Sequence, residues 1–165
     1  AIISATNDSR GILSTHMHSE GKYLKELWLE SPASNSGNPR ITAKELDMGK
    51  QYLKMNGKEV FRHAVKRFPE VIYECLEKNR LKVSDIDLFI PHQANLRITQ
   101  MIQKKLSLKD EQVYSNIHNY GNTTAGTIPI ALSEAYNKGK IKRGDLLLFA
   151  SFGSGFTWAS SAVKW

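Results

Sequence analysis

The stretch Ile86-Asp-Leu-Phe-Ile-Pro-His-Gln-Ala-Asn95 constrains the fold more than any other part of the chain. Leu88, Phe89 and Ile90 form a short apolar run that reads as a buried strand. Pro91 has no N–H to give to a sheet ladder and so closes that strand. His92 is thereby delivered at a strand tip, where α/β proteins place their chemistry. Asn95 suits the N-cap of a following helix whose apolar positions are Ile98, Met101, Ile102 and Leu106.

Two further strand-to-turn junctions follow. His118-Asn-Tyr-Gly-Asn122-Thr-Thr-Ala-Gly126 offers Asn122 at an equivalent place, and Ser151-Phe-Gly-Ser-Gly155 follows an apolar strand over Leu146–Ala150. A histidine, an asparagine and a glycine turn on separate strand ends are the parts of one polar site built from loops.

The rest of the chain supports a layered α/β reading. Ile2–Ala5 and Ile12–His18 are expected as strands joined by a turn at Asn7–Gly11, with Tyr23–Glu30 as a third, surface strand. Residues 31–39 are rich in turn formers and read as a loop or linker. Lys58–Lys78 carries Phe61, Ala64, Val65, Phe68, Ile72, Cys75 and Leu76 at helical spacing, with Pro69 expected to kink this helix or start a new one. A short strand at Val113–Asn116 is expected next. It precedes a helix capped by Thr123 or Thr124, with Ile128, Ala131, Leu132 and Ala135 inward and Gly139 at its end. A last strand over Thr157–Val163 runs antiparallel to its neighbour. The order α-β-α-β-α-β-β implies a mixed, mostly parallel sheet with helices on both sides.

Composition narrows the function classes. At 165 residues the chain can bury one real core, and 41% hydrophobic with 24% charged residues is ordinary for a globular protein. No apolar run is long enough for a membrane helix, and no signal-peptide pattern opens the chain. The one cysteine, Cys75, forms no internal disulfide, fits a reducing cytosol, and lies on a core stripe as a packed thiol. His16 and His18 share a strand face but lack a third ligand nearby, which favours a non-metal reading. The net charge of +7, from 23 Lys and Arg against 16 Asp and Glu, favours an acidic partner. No nucleic-acid-binding signature accompanies it.

A histidine beside a primary amide can hold a substrate oxygen that gains negative charge, such as an enolate. The N–H groups of Gly153-Ser154-Gly155 can serve a second oxyanion. A phosphate cradle at this turn is disfavoured, because the turn precedes a strand rather than a helix. No paired carboxylates and no Gly-x-Ser-x-Gly elbow occur, which argues against glycosidase and serine hydrolase chemistry. Residue chemistry alone leaves the reaction open.

Pro91-His-Gln-Ala-Asn-Leu-Arg97, Tyr120-Gly-Asn-Thr-Thr124 and Phe152-Gly-Ser-Gly-Phe-Thr-Trp158 together resemble the C-terminal signatures of the β-ketoacyl-acyl-carrier-protein synthase III family. The resemblance implies the C-terminal half of a thiolase-like fold. Residues 1–40 would be the last strands of the N-terminal half plus a linker, and 41–165 the C-terminal domain. It implies decarboxylative condensation of an acyl thioester with malonyl carrier protein. His92 and Asn122 would act on the malonyl thioester, with Asn95 beside the histidine. Gly153 and Ser154 would lend an oxyanion N–H, and Phe152 would pack against the site. Met55, Gly57, Phe61, Ala94 and Ile98 would line a tunnel for the phosphopantetheine arm. Arg62, Arg97, Lys104 and Lys105 would dock an acidic acyl carrier protein.

The resemblance further implies a cytoplasmic homodimer with no permanently bound cofactor and no metal, its substrates being carried on CoA and phosphopantetheine. The family's nucleophilic cysteine belongs to a region that does not match this chain, so the fragment alone is expected to be inactive in condensation. A sibling acyltransferase chemistry and a stand-alone carrier-protein-binding half-domain are the alternatives.

Overall fold

Alternation along β4 (Leu88–Pro91) divides the interior into two cores. In the computed structural model, which describes residues 3–32, 34 and 37–165, Leu88 and Ile90 join one cluster and Phe89 the other. The next strand, β5 (Leu146–Gly153), repeats the pattern. Leu147 and Phe149 join the first cluster, while Leu148, Ala150 and Phe152 join the second. Helix α5 (Thr127–Asn137) covers the first with Ala131 and Ala135. Helices α2 (Gly57–Lys78) and α3 (Leu96–Leu106) cover the second with Phe68, Ile72, Cys75, Ile102 and Leu106. A strand covered on both faces needs apolar residues in succession, which is why residues 88–90 lack a polar alternate.

The sheet order is β1-β6-β5-β4, where β1 is Gly11–Ser19 and β6 is Thr157–Lys164. It is mixed, as expected, but its parallel share is smaller. Only β4 and β5 pair in parallel, while β5–β6 and β6–β1 are antiparallel. The strand expected at Val113–Asn116 reduces to one parallel bridge between Val113 and Phe89. The physical reason is a side chain. The Tyr114 N–H donates to Phe89 O at 2.9 Å, but beyond it Gln93 Nε2 donates to Tyr114 O at 3.4 Å and Gln93 Oε1 accepts from the N–H of Asn116 at 3.2 Å, so the rest of this backbone bonds to an amide instead of a strand.

Other expectations are corrected near the N-terminus. Ile2 lies outside the described residues, and Ile3–Ala5 forms no regular structure. Tyr23–Glu30 is not one strand: Gly21–Glu26 winds into a 3₁₀ turn, and β2 (Leu27–Trp28) pairs with β3 (Lys54–Met55). Winding lets Tyr23 reach His63 and Phe156, with ring centroids 4.1 and 5.4 Å away. Before β3, α1 (Ala43–Asp47) is started by a reciprocal Thr42–Glu45 capping box, a signature present in the sequence but not read there.

The helices also depart in detail. Pro69 neither breaks α2 nor starts a new helix; it sits inside one continuous 22-residue segment. Met101, expected inward, is 39% exposed, and Thr99 is buried on α3 instead. Neither Thr123 nor Thr124 caps α5. A 3₁₀ turn at Thr124–Gly126 leads into it, with Gly126 at the N-cap and no side-chain cap. Gly139 ends that segment at φ +67°, as expected of a glycine after a helix.

Candidate functional site

The parallel ladder continues one residue past Pro91, where the His92 N–H donates to Ala150 O at 2.8 Å. Strand alternation then carries the His92 side chain to the α5 face of the sheet. There His92 Nδ1 lies 2.6 Å from the hydroxyl oxygen of Thr127, the first residue of α5. Thr127 is buried, and its Oγ1 is also 3.1 Å from Thr124 O. Burial lowers the pKa of His92 below the ordinary histidine value, so the imidazole is neutral at pH 7.

Asn122 reaches the same end of the sheet by a different route. The short helix α4 (Ile117–Tyr120) stops at Gly121, whose φ of +66° suits glycine. Asn122 Oδ1 then accepts from Thr124 N at 2.9 Å. With its oxygen engaged, the exposed amide presents its NH₂ as donor. Hydrogen bonds therefore connect His92 to Thr127, Thr127 to Thr124, and Thr124 to Asn122. Two residues 30 positions apart are held on one polar loop cluster.

Gln93 is the residue that sequence reading passed over. It is 1% exposed, and its amide uses both ends. Nε2 donates to Pro91 O at 2.7 Å and to Tyr114 O, while Oε1 accepts from Ser115 Oγ at 2.8 Å and from Asn116 N. Asn116 passes the connection to Glu134 on α5 through a 2.7 Å bond. The available signal was a primary amide within two residues of a buried apolar strand, where it must find partners for both ends.

The glycine turn joins β5 to β6. Ser154 is exposed and is not among the residues with positive φ, so the serine fits an ordinary backbone conformation. Gly155 takes the strained position at φ +134°, and a Cβ there would meet Thr157 Oγ1 at 2.5 Å. Backbone bonds in both directions between Phe156 and Glu20 pin the turn to the end of β1. Phe152 is on the α2 side of the sheet, 4.8 Å from Phe156 and 6.5 Å from Trp158 between ring centroids.

Asn95 caps α3, its Oδ1 accepting from Arg97 N at 2.9 Å. The Arg97 guanidinium lies 5.8 Å from the Phe61 ring, and Lys105 Nζ donates to Val65 O at 2.8 Å. Those two contacts align α2 and α3 in the same direction, with Gly57, Ala94 and the exposed Met55 all toward their N-terminal ends. Phe61 and Ile98 are partly buried. Arg62 pairs with Glu59, whereas Arg97 and Lys104 are exposed and form no ion pair among the described residues. Lys105 is exposed too, but its ammonium is engaged by α2.

Two other features lie elsewhere. His16 and His18 do share a strand face, and both meet Glu74 on α2, at 3.5 and 2.5 Å. Among the described residues no group of His, Cys, Asp and Glu is arranged to hold a metal ion, and Cys75 is fully buried. One open cleft lies away from His92, on the outer side of α5, between Tyr120, Ile130 and Lys138. It is a surface concavity in which the Glu134 carboxylate is paired with Lys138. No helix among the described residues is long and apolar enough to cross a membrane.

Comparison with known proteins agrees with this architecture. Residues 76–165 match the family described as 3-oxoacyl-[acyl-carrier-protein (ACP)] synthase III C terminal. β-Ketoacyl-[acyl-carrier-protein] synthase III of Clostridioides difficile is 44% identical over 165 residues, covering 100% of this chain and 49% of that protein. The crystal structure of the Thermus thermophilus β-ketoacyl-[acyl carrier protein] synthase III superposes with a TM-score of 0.86 at 37% identity, over 99% of this chain and 49% of that one. The corresponding Aquifex aeolicus structure gives 0.83 at 38% identity, over 98% and 47%. The chain spans about half the length of the curated relatives it matches. With its sheet, its helices and 90 of its 165 residues (76–165) accounted for by one family, the chain belongs to the 3-oxoacyl-[acyl-carrier-protein] synthase III family and has the thiolase-like α/β fold of its C-terminal region.

Proposed function

We propose that the protein carrying this chain condenses an acyl thioester, delivered on CoA, with malonyl carrier protein, as an initiating step of fatty acid synthesis. The malonyl C–C bond breaks, carbon dioxide leaves, and the electron pair forms an enolate. His92 and Asn122 donate hydrogen bonds to that enolate oxygen, lowering the barrier by stabilising charge where it develops. The carbanion attacks the acyl thioester carbonyl, whose oxyanion is held by the backbone at Gly153-Ser154. The thiol then leaves. Cys75 is sealed in the core and is not the acyl carrier, so acylation belongs to the part of the protein that does not match this chain.

The observation that carries this reading is the connected path from His92 through Thr127 and Thr124 to Asn122, which gathers two donors at one end of the sheet. In the full-length protein, His92→Ala or Asn122→Ala is expected to abolish ketoacyl product from acyl-CoA and malonyl carrier protein. Full retained activity in either variant overturns the assignment.

The same proposal assigns Met55, Gly57, Phe61, Ala94 and Ile98 to the path of the phosphopantetheine arm, and Arg62, Arg97 and Lys104 to docking of an acidic carrier protein. Binding of that partner should weaken with salt and with Arg97→Glu. Undiminished affinity in the variant removes Arg97 from the docking surface. A cytoplasmic homodimer, needing only CoA and phosphopantetheine as carriers, completes the reading.

A further inference from the structure

Arg67 on α2 lies outside the residues assigned above, yet its guanidinium reaches both anchor points of the glycine turn. Nη2 donates to Glu20 Oε2 at 2.7 Å, and Nη1 donates to Glu70 Oε2 at 2.9 Å. Two carboxylates thus fix the plane of the group, whose central carbon lies 4.7 Å from the centre of the Trp158 ring. Glu20 holds one side of the turn, its backbone donating to Phe156 O at 2.7 Å and accepting from Phe156 N at 3.0 Å. Trp158 holds the other, paired with Phe152 across the β5–β6 hairpin. The Arg67 side chain is only 22% exposed and Trp158 is buried, so these contacts are largely withdrawn from water.

The turn has need of such an anchor. Gly153 and Gly155 leave its backbone few restraints of its own. Among the described residues the Ser154 N–H has no protein acceptor, so its direction is set by how the turn is held. A donor stabilises an oxyanion only where it is fixed in place before charge develops.

We infer that Arg67 is a positioning residue for this turn: by bonding Glu20 and stacking on Trp158 it fixes the Gly153-Ser154 backbone against α2 and aims its N–H at the oxygen of the acyl thioester. The role rests on the proposed function for the identity of that oxygen, whereas the anchoring stands apart from it. The turn serves the acyl thioester, and His92 with Asn122 serves the malonyl thioester. Loosening the turn should therefore slow one half-reaction and spare the other, while a mere loss of stability would slow both.

The test uses the full-length protein with Arg67→Met, Glu20→Ala and the double variant. Arg67→Met should speed amide hydrogen exchange at Phe156 by about tenfold relative to Leu148 in β5, the scale of one hydrogen bond to a charged group. It should slow acyl transfer from acyl-CoA by about a hundredfold with KM unchanged, the scale of a reacting group misplaced by about 1 Å. Carbon dioxide release from malonyl carrier protein should be retained. Glu20→Ala should do the same, and the double variant should be no worse than either single one.

Unchanged exchange at Phe156 overturns the anchoring. Equal losses in the two half-reactions, or none in either, overturn the positioning role, and additive losses in the double variant overturn the shared path through Glu20. If Arg67→Met fails to fold, Glu20→Ala carries the same comparison, because it keeps the backbone bonds to Phe156. Failure of the condensation reading shows up differently, as faster exchange at Phe156 in the variants of a protein whose wild type forms no ketoacyl product.

Discussion

Lys105 Nζ on α3 donates at 2.8 Å to the carbonyl oxygen of Val65 on α2, the acceptor that Pro69 cannot serve. A proline inside a helix lacks the N–H that would bond four residues back, leaving that carbonyl without its helical partner. A lysine from the neighbouring helix fills the gap and ties together the two helices that present Arg62 and Arg97. This contact explains why the helix stays continuous where the sequence suggested an interruption. It also separates Lys105 from Lys104, which are adjacent and chemically identical.

Lys105→Met is accordingly expected to destabilise the protein by about 1 kcal/mol, a typical net value for one hydrogen bond, whereas Lys104→Met leaves stability unchanged. Pro69→Ala returns an N–H to Val65 O, so the lysine substitution should cost less in that background. Denaturant unfolding of the four proteins gives the coupling directly. Equal costs with and without Pro69 would rule out the staple.

Gln93 satisfies both ends of its amide between the end of β4 and residues 114–116 while itself almost wholly buried. Gln93→Leu leaves buried backbone groups at Pro91, Tyr114 and Asn116 without that partner. A loss of about 3 kcal/mol is expected, within the range for stranding buried polar groups. Ser115→Ala removes only one of these bonds and should cost about 1 kcal/mol. Thermal or denaturant unfolding reads both, and a leucine variant as stable as wild type would contradict the arrangement.

Acidification should destabilise the fold through His92. Burial depresses its folded pKa below the ordinary value of 6.5, while the unfolded chain keeps that ordinary value. Above it both states are neutral and the full stability is present. As pH falls, the unfolded state binds a proton first, and stability is lost until the folded form is protonated too. His63 is shifted the same way, by burial first and then by the Arg62 charge, and adds to the slope. Unfolding midpoints measured at descending pH should therefore fall below about pH 6.5, less steeply in a His92→Asn variant. Stability that rises through this window would reverse the assigned direction.

At the glycine turn, the two neighbours should respond in opposite ways. Gly155→Ala places a methyl group 2.5 Å from Thr157 Oγ1 at a φ of +134°, a region unfavourable to side chains. A cost of about 2 kcal/mol or more follows from backbone strain and contact. Ser154→Ala alters an exposed side chain, not its N–H, and should change both stability and turnover little. Turnover that depends on the Ser154 hydroxyl would show that the turn acts through a side chain.

The broad plan was legible because it rests on local chemistry. The apolar run at 88–90 dictated a strand buried on both faces, Asn95 dictated a helix start, and the stripe through Phe68, Ile72 and Cys75 dictated the buried side of α2. Less was legible wherever a distant group satisfies the backbone. The expected strand at Val113–Asn116 gives way to Gln93, and the expected break at Pro69 is bridged by Lys105. Tyr23 winds its segment to reach an aromatic cluster assembled from His63 and Phe156, far along the chain.

By itself the sequence determined which residues could do chemistry, and it placed His92, Asn122 and the glycine turn at strand ends, which holds for the first and last, whereas Asn122 follows the short helix α4. Only the tertiary structure decided how they are connected. Thr127 sits 35 residues from His92 and meets it only because α5 packs across the tip of β4. Apolar spacing is written in the chain because each residue meets the same core, whereas a hydrogen bond between loops depends on where both ends finish after packing.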